Sequence, residues 1–238
     1  MPVFTLLIFI PLNVLSQATT TERPGLRRAV VIDERLSVLR MAPSLTARLM
    51  HRISRGRKIY IIEGNRPVTV DGVTFVRVAL TRRTRGWIEA RSFASPGRTG
   101  DDERLWQLIN ASEEFDQIAR TRILLDFFPH SAHRLEGLLL LGKQAESLAS
   151  ELSREAVRRL DAREMEASGA SLRVFFLNYS GLDRYNRLGV NFTFDSATKQ
   201  YHYDGESWRE LLRRYPQSGQ AAEARTLITQ QKRLRSED

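Results

Sequence analysis

Apolar and polar residues alternate with a period of two along residues 28–95, and turn residues interrupt the alternation. Alternation of this kind predicts β-strands that bury one face. Asp71-Gly72 lies between two of the apolar runs and is a strong hairpin pattern, because both residues tolerate a positive φ. Several short strands at this spacing predict a small closed barrel. The predicted strands are centred on Ala29–Ile32, Lys58–Ile62, Phe75–Leu80 and Gly86–Ile88.

The pattern changes to a helical period after a run of turn residues, of which 96–100 form the predicted linker. Residues 101–128 predict helix, and Asn110 with Glu113 has the spacing of a capping box that would divide it in two. A long helix follows, with a stripe of small and apolar residues. Small residues in such a stripe let a neighbouring helix approach closely. The stripe consists of Leu138, Gly142, Ala145, Ala149, Leu152 and Ala156.

A second region of period two occurs near residues 190–203, where alternating aromatic residues flank a polar turn. This pattern predicts a β-hairpin inserted among the helices. The segment before it, residues 178–186, mixes polar and aromatic side chains. Two interpretations of that segment stay open. It is either a structural connector that carries tyrosines onto the helices or a ligand-binding surface formed by Tyr179, Arg184 and Tyr185.

An apolar run, Val3–Leu15, opens the chain and is too short for a bilayer-spanning helix, which takes roughly 20 residues. Its length and the small residues Ser16 and Ala18 favour a cleaved export signal over residues 1–18, followed by a polar tether over 19–27. A buried N-terminal strand is the alternative. The export signal predicts a periplasmic or secreted protein with no transmembrane span in the mature chain.

The chain has 238 residues, no cysteine and a net charge of +9 that is unevenly distributed. Residues 22–98 hold 17 Arg and Lys against 6 Asp and Glu, a balance of +11, whereas residues 99–238 hold 20 against 22. A localised positive field attracts anionic partners such as phospholipid headgroups or anionic glycans. Within the basic region, Arg82, Arg83 and Arg85 lie at a predicted hairpin turn. They form either an anion-binding tip or an ordinary solvated one.

One set of residues keeps a characteristic order and spacing through the strand region: Leu39-Arg40, Pro43-Ser44, Gly56, Gly72, Phe75, Val78 and Gly86-Trp87-Ile88. With these residues the region resembles the bacterial SH3-like family, although Phe75 stands where that family usually has tryptophan. The resemblance implies an SH3-like barrel over residues 28–95 and a targeting role, often toward cell wall. We expect Trp87 to lie in the barrel core, with a binding platform as the alternative.

Two segments of the helical region match each other without gaps, Leu124–Ser131 and Leu211–Ser218. Each contains an aromatic residue, a proline that ends one helix and a serine that can cap the next. This step resembles the turn between helices in tetratricopeptide-like periplasmic proteins of outer-membrane assembly and trans-envelope coordination. The copies lie 87 residues apart, which is no multiple of the usual repeat of about 34 residues. The resemblance therefore implies a degenerate array over residues 101–238, and a region that binds protein.

Two patterns resemble chemical sites but lack the rest of the chemistry. Gly137–Lys143 has the spacing of a phosphate-binding loop, but Gln144 replaces the magnesium-binding hydroxyl and four leucines fill the loop. His130, His133 and Glu136 straddle a predicted helix start and lack a further ligand. No nucleophile elbow and no catalytic carboxylate pair stands out. We therefore expect no catalysis, no cofactor and no metal.

These patterns predict an α+β multidomain protein, in which a small SH3-like β-barrel precedes a mainly α-helical, degenerate tetratricopeptide-like domain with an inserted β-hairpin. We expect the two domains to fold separately. The expected function is that of an exported, non-catalytic adaptor of the bacterial envelope. Its basic barrel would bind an anionic polymer or lipid surface, and its helices would bind protein. The alternative is an accessory or regulator of a cell-wall peptidoglycan enzyme. Nucleic-acid binding has the required charge, but export argues against it.

Overall fold

The computed structural model describes residues 25–159 and 162–236, so the predicted export signal and most of the predicted tether lie outside the described residues. Strands fill the first part of the chain, and helices with one hairpin fill the second, which makes the protein α+β as predicted. The strands are β1 Leu26–Val31, β2 Val38–Arg40, β3 Leu49–Arg52, β4 Lys58–Ile62, β5 Val68–Val70, β6 Val73–Ala79, β7 Arg85–Glu89, β8 Phe93–Ala94, β9 Phe192–Asp195 and β10 Gln200–Tyr203. The helices are α1 Asp101–Asn110, α2 Glu114–Phe127, α3 Arg134–Arg159, α4 Ala162–Ala167, α5 Leu172–Tyr179, α6 Asp183–Asn186, α7 Glu206–Arg214 and α8 Gly219–Ser236.

Strands β1–β8 form one antiparallel sheet in the order β3-β2-β7-β6-β4-β1-β8, and β5 pairs with β6. We call residues 25–94 the sheet half. Its side chains contribute a single apolar core, as expected for a sheet that buries one face. The SH3-like barrel stays a prediction. The buried members of this core are Ala29, Val31, Leu39, Ile53, Ile59, Ile61, Val76, Val78, Ile88 and Phe93.

The predicted hairpin turn at Asp71-Gly72 joins β5 to β6. Both residues have a positive φ, 50° at Asp71 and 75° at Gly72. A two-residue turn of this handedness matches the right-handed twist of the flanking strands. The hairpin prediction is confirmed.

Trp87 does not lie in the core, so that expectation is wrong. In β7 the side chain of Ile88 belongs to the core, and successive side chains of a strand point to opposite faces. Trp87 is therefore half-buried on the outer face, directly opposite Arg40 of β2 and Arg77 of β6. In a short strand the sequence does not show which of two adjacent residues points into the core, because shifting the alternation by one residue exchanges the two faces.

Residues 101–236, which we call the helical half, follow the predicted division into helices. The break between α1 and α2 falls at the predicted place, but Glu113 makes no capping hydrogen bond through its side chain, so the capping box is absent. The small-residue stripe of α3 is buried where α7 crosses it. A Cβ on Gly142 would lie 2.7 Å from Cδ1 of Trp208, so the close approach that the stripe predicts requires glycine there.

Both matching segments connect two helices, α2 to α3 and α7 to α8. In the second copy Oγ of Ser218 accepts a hydrogen bond from the N–H of Ala221 at 3.1 Å. In the first copy Oγ of Ser131 accepts one from the N–H of His133 at 3.2 Å. Ser218 thus caps the start of α8, whereas the N–H bonded by Ser131 belongs to the residue just before α3. The tetratricopeptide-like array itself stays a prediction.

The predicted hairpin near residues 190–203 is present as β9 and β10. It packs on α3, where the N–H of Tyr201 donates to Oγ of Ser153 at 2.9 Å. Glu146 of α3 accepts from the N–H of Tyr203 at 2.7 Å and lies 2.9 Å from Nδ1 of His202. These polar contacts satisfy groups that the hairpin buries against the helix.

An apolar cluster joins the two halves. The outward side chains of Val30, Ile32 and Ala94 pack against residues of α1 and α2. A short ion pair crosses the same interface, with 2.7 Å between Nη1 of Arg55 and Oδ1 of Asp116. The helical half thus covers the outward side chains of Val30, Ile32 and Ala94. The helical members of the cluster are Leu105, Ile109, Ile123, Leu124, Phe127 and Phe128.

Candidate functional site

Two connections lie together at one end of the sheet. Strand β2 leads into residues 41–48, and β7 follows the turn at 81–84. Because β2 and β7 are antiparallel neighbours, with Arg40 opposite Trp87, both connections extend from the same end. We call residues 41–49 together with residues 80–85 the basic tip.

Close packing of β2 and β7 depends on Gly86. A Cβ at this position would lie 2.6 Å from the carbonyl oxygen of Arg40. Real side chains do not tolerate so short a contact with backbone, so glycine allows the two strands to meet here. Gly86 therefore permits the close approach of the two strands that carry the connections of the basic tip.

Positive charge in the basic tip is not balanced within it, since neither segment contains Asp or Glu. Arg48, Arg82, Arg83 and Arg85 are all exposed. Arg82 and Arg83 lie in the turn as predicted, whereas Arg85 is the first residue of β7. The planar guanidinium group suits bidentate contacts with phosphate or carboxylate.

Three large apolar side chains of the same tip are also exposed. Met41 is 60%, Leu45 48% and Leu49 44% exposed, although side chains of this type are usually buried. Among the described residues only two other large apolar side chains are comparably exposed, Val157 and Val174 of the helical half. The basic tip therefore combines unbalanced cations with an apolar surface.

The two connections keep their shape through their own hydrogen bonds. Nη1 of Arg40 donates to the carbonyl of Ala47 at 2.9 Å, and the N–H of Met41 donates to the carbonyl of Arg48 at 3.1 Å. In the neighbouring turn Oγ1 of Thr81 accepts from the N–H of Thr84 at 3.0 Å. These bonds hold both segments while Met41, Leu45 and Leu49 stay exposed.

Of the three residues predicted as a second ligand surface, only Arg184 is exposed. Tyr185 is fully buried, and its ring packs edge-on against Phe115 at 5.2 Å between centroids. Burial raises the pKa of Tyr185, and the neighbouring Arg184 only partly opposes this effect. Tyr179 is half-buried, and its hydroxyl donates to the carbonyl of Arg159 at 2.8 Å. These contacts favour the structural connector, and the ligand-binding surface stays a prediction.

The two histidines singled out in the sequence are not brought together with further ligands. The ring of His133 stacks on Trp106 at 5.1 Å, and its Nε2 lies 2.7 Å from Oε2 of Glu103. Gly137–Lys143 is continuous helix within α3 rather than a loop. In the described ranges, no three or more His, Cys, Asp or Glu side chains converge as a metal site would require.

A second basic feature is a cavity of about 270 Å³ lined by arginines beside the Asp71-Gly72 turn. Two of its arginines are already paired, since Arg98 and Arg104 lie 2.8 and 3.2 Å from Oδ1 of the buried Asp101. Its wall also includes Glu89, whose pKa is raised by burial against the opposing charges of Arg40 and Arg91. The basic tip offers more unpaired charge than this cavity.

The arginines of the basic tip are visible in the sequence, but its apolar members are not. Leu45 and Leu49 have no feature that distinguishes an exposed leucine from a core leucine. The one available indication is the lack of acidic residues in both segments, since neither residues 41–49 nor the turn at residues 80–85 contains Asp or Glu. The proximity of the two segments is evident only when β2 is known to pair with β7.

Comparisons with known proteins give no further assignment. The chain matches no family model, no curated protein and no solved structure.

Proposed function

We propose that the protein is an exported, non-catalytic adaptor of the bacterial envelope, periplasmic or secreted, whose sheet half binds an anionic envelope component through the basic tip. The observation that carries this proposal is the combination of Arg48, Arg82, Arg83 and Arg85 with an absence of acidic residues in the tip. Such a surface concentrates anionic partners and contacts them directly. Export itself rests on the sequence of residues 1–18.

The helical half supplies the protein-binding part of the proposal. It lies on the outer face of β1, so the partner it holds and the anionic surface at the basic tip need not compete. Two helix–turn–helix units, α2 with α3 and α7 with α8, support this role.

Within the described residues, none of the helices has both the length and the apolar character that crossing a bilayer requires.

The test is parallel sedimentation with peptidoglycan, vesicles containing phosphatidylglycerol, and DNA. We expect the protein to pellet with an anionic envelope material, and Arg82→Ser/Arg83→Ser/Arg85→Ser to weaken binding at least about tenfold, since each arginine near an anionic surface contributes about 1 kcal/mol. The matched control, Arg66→Ser/Arg213→Ser/Lys232→Ser, removes three exposed cations outside the basic tip. Binding to DNA alone, or equal losses in both variants, would contradict the proposal.

A further inference from the structure

We infer that the anionic partner is a phospholipid bilayer surface, into which Met41, Leu45 and Leu49 insert while the arginines of the basic tip contact lipid phosphates. This inference rests on the proposed function and names the partner of the same tip. The sheet half would then attach the protein to a membrane without spanning it.

The apolar side chains and the cations lie at the same end of the sheet. Met41 and Leu45 belong to the connection that follows β2, Leu49 is the first residue of β3, and Arg48 precedes it in the chain. The turn carrying Arg82 and Arg83 projects from the same end of the sheet, beside that connection. An insertion of the apolar side chains would therefore bring the guanidinium groups to the depth of the headgroups.

This combination favours lipid over the other anionic partners. A glycan polymer or a nucleic acid would attract the arginines but would leave three large apolar side chains in water. An anionic bilayer offers both phosphates and a hydrocarbon boundary, and apolar residues bordered by Arg or Lys are typical of proteins that bind at that boundary. The apolar members of the tip thus distinguish the lipid from the polymer.

The two kinds of contact respond differently to salt. Salt screens exposed charges beyond a Debye length of about 8 Å at physiological ionic strength, whereas burial of apolar surface is not screened. We therefore expect binding to vesicles to weaken as salt is added and then to level off above zero. A purely electrostatic contact would continue to weaken.

The experiment measures binding to vesicles of phosphatidylcholine with phosphatidylglycerol. The protein begins at Thr19, which retains every described residue and removes the apolar run Val3–Leu15 that would itself hold lipid. The Met41→Ser/Leu45→Ser/Leu49→Ser variant should bind the vesicles at least about tenfold more weakly than the wild type, since insertion strength scales with buried apolar area. The control Val157→Ser/Val174→Ser removes apolar side chains of similar exposure and should bind as the wild type does.

Circular dichroism melting confirms that each variant is folded, and Leu45→Asp alone provides a second test if the triple variant is not. Equal vesicle binding by the wild type and a folded Met41→Ser/Leu45→Ser/Leu49→Ser variant overturns the inference. Binding to peptidoglycan without binding to vesicles also overturns it, while the proposed function stands. If the wild type binds neither material, the proposed function and the inference both fail.

Discussion

Among single residues, Gly142 makes the tightest demand on the helical half. Its position against the indole of Trp208 leaves no room for a side chain, and a Cβ would lie 2.7 Å from Cδ1 of that ring. We expect Gly142→Ala to reduce the free energy of unfolding by about 1–3 kcal/mol, because overpacking forces α3 and α7 apart. The matched control is Gly219→Ala at the start of α8, where no heavy atom lies within 4 Å of the added Cβ. Urea denaturation should show the loss for Gly142 alone, and equal effects would contradict the close packing.

Asp116 links the two halves and responds to pH. Burial raises the pKa of its carboxyl group, but the hydrogen bond and charge of Arg55 and the charge of Arg120 outweigh this effect and hold the pKa below its ordinary value. A depressed folded-state pKa stabilises the protein above the unfolded-state pKa, and the contribution is lost as pH falls through the folded-state value.

We therefore expect Asp116→Asn to be less stable than the wild type at neutral pH, and the difference to shrink as the pH falls below the ordinary carboxyl range. Thermal melts across the acidic range measure this difference. The control Asp126→Asn removes a carboxylate of the same helix that pairs within α2, with Arg122 at 3.3 Å. A difference that is independent of pH would contradict the assignment of the Arg55–Asp116 ion pair.

Among secondary-structure elements, the turn between α7 and α8 depends on a capping serine. Oγ of Ser218 accepts a hydrogen bond from the N–H of Ala221, which also donates to the carbonyl of Ser218 at 3.1 Å. We expect Ser218→Ala to cost about 1 kcal/mol of unfolding free energy. Ser196→Ala, in the exposed turn between β9 and β10, removes a hydroxyl without removing a cap and should change stability little. Equal melting temperatures for the two variants would show that the cap does not stabilise α8.

Some strands have a recognisable sequence pattern, and others are too short to show one. β1, β4, β6 and β7 could be predicted because they hold runs of β-branched and aromatic residues. β2 and β5 are three residues long and β3 is four, and so short a segment shows no period. The same lack of register information misplaced Trp87 and concealed the exposure of Leu45 and Leu49, since alternation gives two faces but does not say which is covered.

For the molecule as a whole, the apolar cluster between the halves bears on the expectation of separate folding. A fragment of residues 26–97 keeps the core of the sheet but exposes Val30, Ile32 and Ala94, which α1 and α2 cover in the full chain. We expect the fragment to give a β-type circular dichroism spectrum and a cooperative melt at a lower temperature than the full chain, because the lost cover is apolar. An unfolded fragment would show that the sheet cannot form without the helices.

The central claim is that the protein binds its anionic partner through the basic tip. A fluorescent label at position 45 tests this claim most directly. The chain has no cysteine, so Leu45→Cys and Val174→Cys each provide one labelling site at similar exposure, one in the tip and one in the helical half. With vesicles containing phosphatidylglycerol, the emission of a polarity-sensitive label at position 45 should shift to the blue, while the label at position 174 stays unchanged. A shift at 174 without one at 45, or bound protein with no shift at 45, would contradict the account.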